Sequence, residues 1–281
     1  AAVNAIYDEG GIDCLRFTAD GSWDLMLGGG MLTGIPAAVN FGSRAADNFR
    51  GLRLFRPEDP LFCAEFWCGW FDHWGEAHHT REAEELADSI VPMLDMGASF
   101  NFYMFHGGTN FGFTNGANHS GGYQPTVTSY DYCSPVSESG DLTPAYFAVR
   151  DRIAKATGIM PELDVANLPK AAYGKLTLTE RAPLFDNLDK IGTVTHAAAP
   201  KSMEEIGQDF GYILYSSEFF GPMEELPLVL GHVHDRAHIY LDGKLVGIRE
   251  RSGRMDEVKV KLGRPQPKQK EFMNIRLDII R

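Results

Sequence analysis

The sequence has few cysteines, no long apolar run and no excess of basic residues. Its four cysteines form no CxxC pair, so they predict neither a disulfide framework nor a cysteine-rich metal site. No apolar run approaches the roughly 18 residues that cross a membrane. The formal net charge of −12 disfavours nucleic acid and anionic membranes, because both bind basic surfaces. We therefore expect no nucleic-acid or membrane partner, and a neutral ligand such as a sugar remains open.

The first half of the chain alternates between apolar runs and helical patterns. With 281 residues, 44% of them hydrophobic, the chain suits a globular protein of one or two domains. The apolar runs cover residues 15–19, 36–41, 61–67 and 98–105. Between the last two runs, one helical stripe consists of Ala83, Leu86, Ala87, Ile90 and Leu94. We expect this helix to begin at an N-cap Thr80 and to end at Gly97. The pattern predicts a parallel sheet with helices packed outside it.

The second half has a different pattern. Residues 158–172 include the proline-punctuated MPELDVANLPK and are interpreted as a linker that ends the first domain at residue 157. From residue 173 to 281, short alternating runs predict strands, and they read KLTLTE, GYILYSS, PLVLGHV, HIYL, KLVGI, EVKVKL and MNIRLDII. The Asp242-Gly243 pair predicts a hairpin between HIYL and KLVGI. This half is therefore predicted to be an antiparallel β-sandwich or jelly roll.

The most informative single residue is Glu65, which interrupts the apolar run LFCAEFW. An ionised carboxylate in a buried strand must be paired, hydrogen-bonded or placed at a strand end that opens into a site. A structural ion pair is one interpretation. The following loop, GWFDHWG, carries three aromatic residues, and barrel enzymes place their chemistry at such strand ends. Aromatic faces also suit the apolar faces of sugar rings, so the pattern favours a carbohydrate-processing carboxylate.

The run at residues 98–105 supports this interpretation. Alternation places Asn101, Tyr103 and Phe105 on one face of the strand, and the glycine-rich loop HGGTNFGFTNG that follows is typical of a cleft lining. Tyr103 is equally compatible with a core tyrosine. His73, His78 and His79 lie near this region but have no HExxH or comparable ligand spacing, so we predict no metal site and no cofactor.

Several long motifs resemble glycoside hydrolase family 35, the acid-type β-galactosidases. They are, in order, AEFWCGWFDHWG, GASFNFYMFHGGTNFGFTNGAN, QPTVTSYDYCSPVSESGDLT and YFAVRDRI, followed by LPKAAYGKLTLTE, MEEIGQDFGYILY and HDRAHIYLDGKLVG. The first four resemble the second half, strands five to eight, of the family's catalytic (β/α)8 TIM barrel. The others resemble the β-domain, a galactose-binding-like sandwich, that follows the barrel. The resemblance thus covers almost the whole chain.

The resemblance implies a retaining exo-β-galactosidase that removes terminal β-galactosyl residues by double displacement. Glu65 matches the family's nucleophile. Tyr103 and Tyr132 match its substrate-contacting tyrosines, and Trp67 is expected to wall the sugar pocket, although some members carry tyrosine there. The resemblance also points to a secreted, periplasmic or lysosome-like compartment and leaves the oligomeric state undefined.

The chain departs from the family pattern in one important respect. The family carries its general acid/base in a NEYG-type motif after the fourth barrel strand, and this motif is absent. We therefore expect the chain to be a fragment that lacks the acid/base half of the barrel and is truncated within the β-domain. Cys68 and Cys133 replace other residue types near the site, where a disulfide or thiol pair is conceivable. Two alternatives stay open, namely a non-catalytic galactose-binding module and a related retaining glycosidase such as an exo-β-glucosaminidase.

Overall fold

A computed structural model describes residues 2–163, 165–219, 226–230, 233–241, 243–251, 256–260 and 273–280. The chain divides into two compact units, each described by itself: Ala1–Phe111 with Thr126–Pro169, and Gly112–Pro125 with Lys170–Arg281. The predicted domain bounds at residues 157 and 173 stay a prediction. In the described ranges, no helix combines the length and the apolar character that a membrane span requires.

The first unit is a parallel sheet with helices. Its strands are β1 (Thr18–Gly21), β2 (Ala37–Phe41), β3 (Phe62–Trp67) and β4 (Ser99–Tyr103). Its helices are α1 (Ala2–Glu9), α2 (Asp24–Gly30), α3 (Ala45–Phe55), α4 (Ala83–Asp95) and α5 (Pro144–Thr157). The strands are parallel and lie in the order β1-β2-β3-β4. The alternating α/β pattern is therefore confirmed, although the first strand begins at Thr18 rather than at residue 15.

The core of this unit lies between the sheet and its helices. The β2 segment AAVNF buries every apolar side chain, as expected of a parallel strand covered on both faces. Tyr132, from the loop after β4, is the largest fully buried side chain of this unit, and the largest from the strands and helices around β2 are Leu27, Phe49, Leu52, Phe66, Leu86, Ile90 and Met93. These residues come from α2, α3, β3 and α4, so one continuous core joins the strands to the helices.

Helix α4 follows the predicted stripe but not the predicted start. Leu86, Ala87 and Ile90 are fully buried as the helical period requires. The N-cap is Glu82, so the expected N-cap Thr80 is wrong; its position lies in the loop that precedes the helix. Gly97 takes a left-handed φ of 63° just after the C-cap, a conformation that favours glycine.

The second unit is built mainly of antiparallel strands. They are β5 (Ala117–His119), β6 (Tyr123–Pro125), β7 (Tyr212–Phe219), β8 (Leu226–Leu230), β9 (Arg236–Leu241), β10 (Lys244–Glu250), β11 (Asp256–Val260) and β12 (Met273–Ile280), with a short helix α6 (Leu188–Ile191). One sheet has the order β10-β9-β12-β7, and β11 pairs with β8 and β5 with β6. All of these pairings are antiparallel, which confirms an all-β second part.

Two local predictions in this unit have different outcomes. The hairpin between β9 and β10 is confirmed, because Leu241 pairs with Lys244 and Gly243 has a positive φ of 75°; Asp242 lies outside the described residues. The predicted strand KLTLTE is wrong. Leu176 and Leu178 are 82% and 92% exposed, and residues 175–180 adopt no regular structure. The alternating pattern alone therefore does not make a strand there.

The topology brings the predicted site residues to one edge of the parallel sheet. The carboxyl ends of β2, β3 and β4 open into loops at residues 42–44, 68–82 and 104–143. Because the strands are parallel, these ends lie at the same edge. Glu65 and Trp67 lie at the end of β3, and Tyr103 is the last residue of β4. Strand β4 ends there, so the predicted alternation does not continue to Phe105.

Candidate active site

Strand β3 contains a β-bulge immediately before Glu65. Cys63 pairs with Val39 of β2, whereas the next β2 residue, Asn40, pairs with Glu65. One β3 residue, Ala64, is therefore extra with respect to β2. A bulge of this kind bends the strand and re-aims the side chains that follow it.

The bulge takes Glu65 out of the helix-covered core. Strict alternation would place Cys63, Glu65 and Trp67 on the same face of β3. Instead the fully buried residues are Cys63 and Phe66, three positions apart, while Glu65 and Trp67 are only partly buried. The register against β4 is also shifted between Cys63 and Phe66. A carboxylate thus interrupts this apolar run without entering the core.

Two hydrogen bonds hold Glu65. The indole Nε1 of Trp67 donates to Oε2 of Glu65 at 3.2 Å, so both side chains lie on the same face. The backbone N–H of Glu65 donates to Oδ1 of Asn40 at 3.1 Å. Within the part of the chain that the structure describes, Oε1 of Glu65 accepts no hydrogen bond. One carboxylate oxygen is therefore anchored, and the other is available for chemistry.

Three tyrosines form the neighbouring part of the site. Tyr103 is the Cα partner of Trp67 across the β3–β4 pair. Its hydroxyl lies 3.3 Å from that of Tyr130. The rings of Tyr130 and Tyr132 stack with centroids 5.3 Å apart and an angle of 9°, and Tyr103 meets Tyr132 edge-on at 5.6 Å. The segment SYDY thus brings two phenols to the end of β4.

The hydroxyls of Tyr130 and Tyr132 are held in their neutral form. Burial, followed by the hydrogen bond with Tyr103 and the negative charge of Glu65, raises the pKa of Tyr130 well above its usual value. Burial and the neighbouring phenols, again with Glu65, raise the pKa of Tyr132 further. These effects also indicate that Glu65 and the tyrosines share one electrostatic environment. Neutral phenols can donate hydrogen bonds to a sugar or to a carboxylate.

The segment that carries these tyrosines has an unusual backbone. Tyr132 and Cys133 have left-handed φ values of 60° and 52°, which non-glycine residues rarely adopt. Gly69 and Gly107 allow other segments to approach it closely. A Cβ at Gly69 would lie 2.5 Å from the carbonyl oxygen of Tyr132, and one at Gly107 would lie 1.6 Å from that of Tyr130. Glycine is thus required at both positions by the close approach of backbones.

Aromatic rings from the loop after β3 extend the site. Trp70 stacks with Phe71 at 4.7 Å, and Phe71 stacks with Tyr130 at 5.8 Å. Trp70 also contacts Trp67 edge-on at 6.1 Å. The two loops therefore share one aromatic cluster, whose members are Trp67, Trp70, Phe71, Tyr103, Tyr130 and Tyr132. Such a surface suits the C–H faces of a sugar ring.

The histidines beside this cluster are engaged by acidic residues. Asp72 accepts from His78 Nδ1 at 2.7 Å and from both the backbone N–H and Nδ1 of His79, at 2.9 and 2.8 Å. Burial alone would raise the pKa of Asp72, but the hydrogen bonds from His78 and His79 outweigh it and lower that pKa to about 2. Across the described ranges, no group of three or more His, Cys, Asp or Glu residues is arranged to hold a metal ion.

Arg81 ties the end of β3 to helix α4. Its guanidinium donates to the carbonyl oxygens of Trp67 and Cys68 at 3.1 and 3.3 Å and to Ser89 Oγ at 2.7 Å. Cys68 and Cys133 are free thiols. Burial raises the pKa of Cys68 to about 12, and Cys133 Sγ donates to the carbonyl oxygen of His79 at 3.3 Å.

A cavity of about 640 Å³ opens at this edge of the sheet. Asn40, Trp67, Trp70 and Arg81 are among the residues that line it. Of the four residues predicted from the sequence, Trp67 lines this cavity and Glu65, Tyr103 and Tyr132 do not. Glu65 is bonded to Trp67, and Tyr132 contacts Tyr103. The catalytic or binding roles of all four stay predictions. Sequence reasoning missed Asn40, Tyr130 and Arg81. The sequence did contain a signal for Asn40, which is a polar residue near the end of the apolar run AAVNF. A polar residue within an apolar run is also the feature that singled out Glu65.

Comparisons with known proteins agree with this arrangement. Residues 2–156 match the model for glycosyl hydrolases family 35, and residues 200–272 match the model described as the first all-beta domain of beta-galactosidase. A beta-galactosidase from Xanthomonas manihotis is 41% identical over 267 residues, which cover 93% of this chain and 43% of that protein. A beta-galactosidase-1-like protein from Mus musculus is 40% identical over 85% of this chain and 38% of its own length. The human beta-galactosidase is 39% identical over 86% of this chain and 36% of its own length.

The chain therefore spans less than half the length of these curated relatives. The family model nevertheless covers residues 2–156 of the 281, which is more than half of the chain. The site at the end of β3 lies within the matched segment. On this basis, the chain belongs to glycosyl hydrolases family 35.

Proposed function

We propose that this chain carries the nucleophile half of a retaining exo-β-galactosidase, with Glu65 as the nucleophile. The observation that supports this proposal most directly is the state of the Glu65 carboxylate. The bulge turns it out of the core, Trp67 donates a hydrogen bond to Oε2, and Oε1 accepts none from the described residues. A structural ion pair would instead place a cationic side chain against the carboxylate, and among the described residues none forms an ion pair with Glu65. Membership of family 35 and the names of the relatives point to the same activity.

In this proposal the reaction proceeds by double displacement. Oε1 of Glu65 attacks the anomeric carbon of a terminal β-galactosyl group, and the bond from that carbon to the leaving oxygen breaks. The leaving oxygen takes a proton from a general acid. Water then attacks the galactosyl-enzyme, gives up a proton to the same group, and releases galactose with the carboxylate of Glu65 restored. Anomeric configuration is retained because each step inverts it.

The aromatic cluster supports a sugar as the substrate. Trp67 and Trp70 present ring faces and edges for the apolar side of galactose, and the hydroxyls of Tyr103, Tyr130 and Tyr132 provide donors for its hydroxyl groups. The net charge of −12 fits a neutral glycoside better than an anionic one. We therefore propose β-galactosides of oligosaccharides or glycoconjugates as the substrate class.

The proposal includes the architecture that the family resemblance implies. The sheet β1–β4 with its helices corresponds to strands five to eight of a (β/α)8 barrel, and the antiparallel strands β7–β12 belong to a sandwich domain. Active sites of such barrels lie at the carboxyl ends of the strands, where Glu65 and Tyr103 lie. The resemblance assigns the general acid/base to a NEYG-type motif that the printed sequence does not contain. We therefore assign that role to no residue of this chain.

The direct test is the hydrolysis of a fluorogenic β-galactoside by the complete gene product and its Glu65→Gln variant. Glutamine is nearly isosteric with glutamate but cannot form the glycosyl ester, so turnover should fall by several orders of magnitude while the melting temperature stays nearly unchanged. Glu58→Gln is the matched control, since Glu58 is an exposed carboxylate in the loop before β3. Near-wild-type turnover by Glu65→Gln would refute the nucleophile assignment.

A panel of chromogenic glycosides separates the alternatives. Preferred hydrolysis of the β-galactoside supports the proposal, and preferred hydrolysis of a β-glucosaminide would instead indicate an exo-β-glucosaminidase. Galactose binding without turnover of any glycoside by the complete gene product would favour a binding module.

A further inference from the structure

The side chain of Asn40 lies where the β2–β3 ladder is interrupted. Asn40 is the polar residue of the β2 segment AAVNF and is flanked by the buried residues Val39 and Phe41. Its Cα partner is Glu65, and the register between β2 and β3 shifts at this pair. A polar side chain among buried apolar neighbours needs a hydrogen-bond partner. Asn40 has one in the backbone N–H of Glu65, which donates to Oδ1 at 3.1 Å.

This hydrogen bond compensates for what the bulge removes. An extra residue in one strand disrupts the main-chain ladder at that point, and a backbone N–H that loses its carbonyl partner is costly unless another acceptor replaces it. The amide oxygen of Asn40 is such an acceptor. An apolar residue at position 40 would leave the N–H of Glu65 without it, so the bulged register would be disfavoured.

The alternative register would reverse the faces of β3. If Ala64 were no longer extra, regular alternation would turn Glu65 toward the face on which Cys63 is buried. The carboxylate would then point into the helix-covered core rather than toward Trp67. Asn40 also lines the 640 Å³ cavity together with Trp67, whose indole N–H donates to the Glu65 carboxylate.

We propose that Asn40 is a positioning residue, whose amide oxygen stabilises the β3 bulge and so keeps the Glu65 carboxylate on the site face. This inference rests on the proposed function in so far as Glu65 is the nucleophile. Asn40 acts through the backbone of Glu65. Its effect is on the placement of the carboxylate.

The test compares three variants of the complete gene product. Asn40→Leu keeps the approximate volume but removes the acceptor, Asn40→Ala removes it with a smaller steric change, and Asn40→Asp retains an acceptor oxygen. Misplacement of a reacting group by about 1 Å can cost on the order of a hundredfold in rate. We therefore expect kcat for a β-galactoside to fall about ten- to a hundredfold in the Leu and Ala variants, with KM changed less than about threefold. Asn40→Asp should retain kcat within about fivefold, the residual loss arising from a second carboxylate near Glu65.

A second readout does not depend on activity. Hydrogen–deuterium exchange of the peptide that spans residues 62–67 reports on the backbone N–H of Glu65. Exchange should be faster in Asn40→Leu and Asn40→Ala than in the wild type and close to the wild type in Asn40→Asp. This readout tests the bulge even if the wild type hydrolyses no β-galactoside, an outcome that would refute the proposed function alone.

Three results would overturn the inference. The first is wild-type kcat in Asn40→Leu or Asn40→Ala, and the second is unchanged exchange at residues 62–67 in both. The third is a loss of kcat in Asn40→Asp as large as in Asn40→Leu, which would mean that the acceptor oxygen is not the relevant feature. If the Leu and Ala variants do not fold, Asn40→Ser takes their place, because its shorter side chain draws the acceptor oxygen away from the backbone N–H of Glu65. Wild-type kcat and unchanged exchange at residues 62–67 in Asn40→Ser would then overturn the inference.

Discussion

Replacing Trp67 by phenylalanine isolates the one hydrogen bond that the described residues donate to the Glu65 carboxylate. The substitution removes the indole N–H that lies 3.2 Å from Oε2. It keeps an aromatic ring at the position where Trp67 contacts Trp70 edge-on. The change therefore tests the donor more than the aromatic surface. Trp70→Phe is the matched control, because Trp70 belongs to the same cluster but donates no hydrogen bond to Glu65 among the described residues.

The magnitude follows from the geometry. A hydrogen bond to a charged group contributes about 1.5 to 3 kcal/mol, and 3.2 Å is at the long end of the normal range. Both side chains are only partly buried, so we use the lower value of about 1.5 kcal/mol, or roughly tenfold in rate.

The affected step follows from the charge on Glu65. In the first step the carboxylate loses its charge as it attacks, so the donor stabilises the starting state more than the transition state and its removal does not slow this step. In the second step the carboxylate departs and regains its charge, and the donor then stabilises the transition state. We therefore expect Trp67→Phe to slow hydrolysis of the galactosyl-enzyme about tenfold.

The assay is pre-steady-state hydrolysis of dinitrophenyl β-galactoside by the complete gene product. With this leaving group the first step is fast, so Trp67→Phe should give a burst of about one equivalent, about tenfold lower kcat and a lower KM. Trp70→Phe should change KM and leave kcat nearly unchanged. An unchanged kcat in Trp67→Phe, or a loss of kcat/KM at constant kcat, would refute the reasoning.

The other predictions concern a tyrosine, a glycine and an acidic residue. Tyr103→Phe removes the 3.3 Å contact with the hydroxyl of Tyr130 and should lower kcat/KM about tenfold; a lower melting temperature with unchanged kinetics would instead assign Tyr103 to the core. Gly107→Ala should abolish activity or folding, because its Cβ would lie 1.6 Å from a backbone oxygen, whereas Gly116→Ala, which has open space, should be tolerated. Asp72→Asn should lower the free energy of unfolding by about 2 kcal/mol near neutral pH.

The pH dependence of the Asp72 effect has a definite sign. The pKa of Asp72 is lowered from 3.8 to about 2 in the folded protein, so the unfolded chain takes up a proton first as the pH falls. The stabilisation is therefore fully present above about pH 4 and is lost as the pH falls through about 2. Urea titrations at several pH values measure it. A difference between wild type and Asp72→Asn that does not shrink below pH 4 would contradict this account.

Much of the fold could be predicted because burial leaves a clear pattern in the sequence. The runs that became β2 and β3 are apolar because a parallel strand is covered on both faces, and the stripe of α4 repeats with the helical period. The KLTLTE segment shows the limit of such reasoning. Its alternation fits a strand, but a strand also needs a neighbour that completes its hydrogen bonds, and the described residues provide none at 175–180.

The candidate site was predictable in part for a similar reason. Glu65 and Tyr103 stand out as polar residues at the ends of apolar strands. The bulge was not predictable from β3 alone, because it depends on a partner in the neighbouring strand, the amide of Asn40. Tyr130 was missed because its position in the site depends on the tertiary approach of two loops, which Gly69 and Gly107 permit.

The central claim is that Glu65 forms the covalent glycosyl intermediate. The most direct measurement is to incubate the complete gene product with an activated β-galactoside that carries fluorine next to the anomeric carbon, which slows breakdown of the intermediate. Digestion and mass spectrometry then locate the label. The account predicts one fluorogalactosyl group per molecule, on the carboxylate of Glu65. A label on another carboxylate, or an active enzyme that accumulates no label and inverts the anomeric configuration, would contradict it.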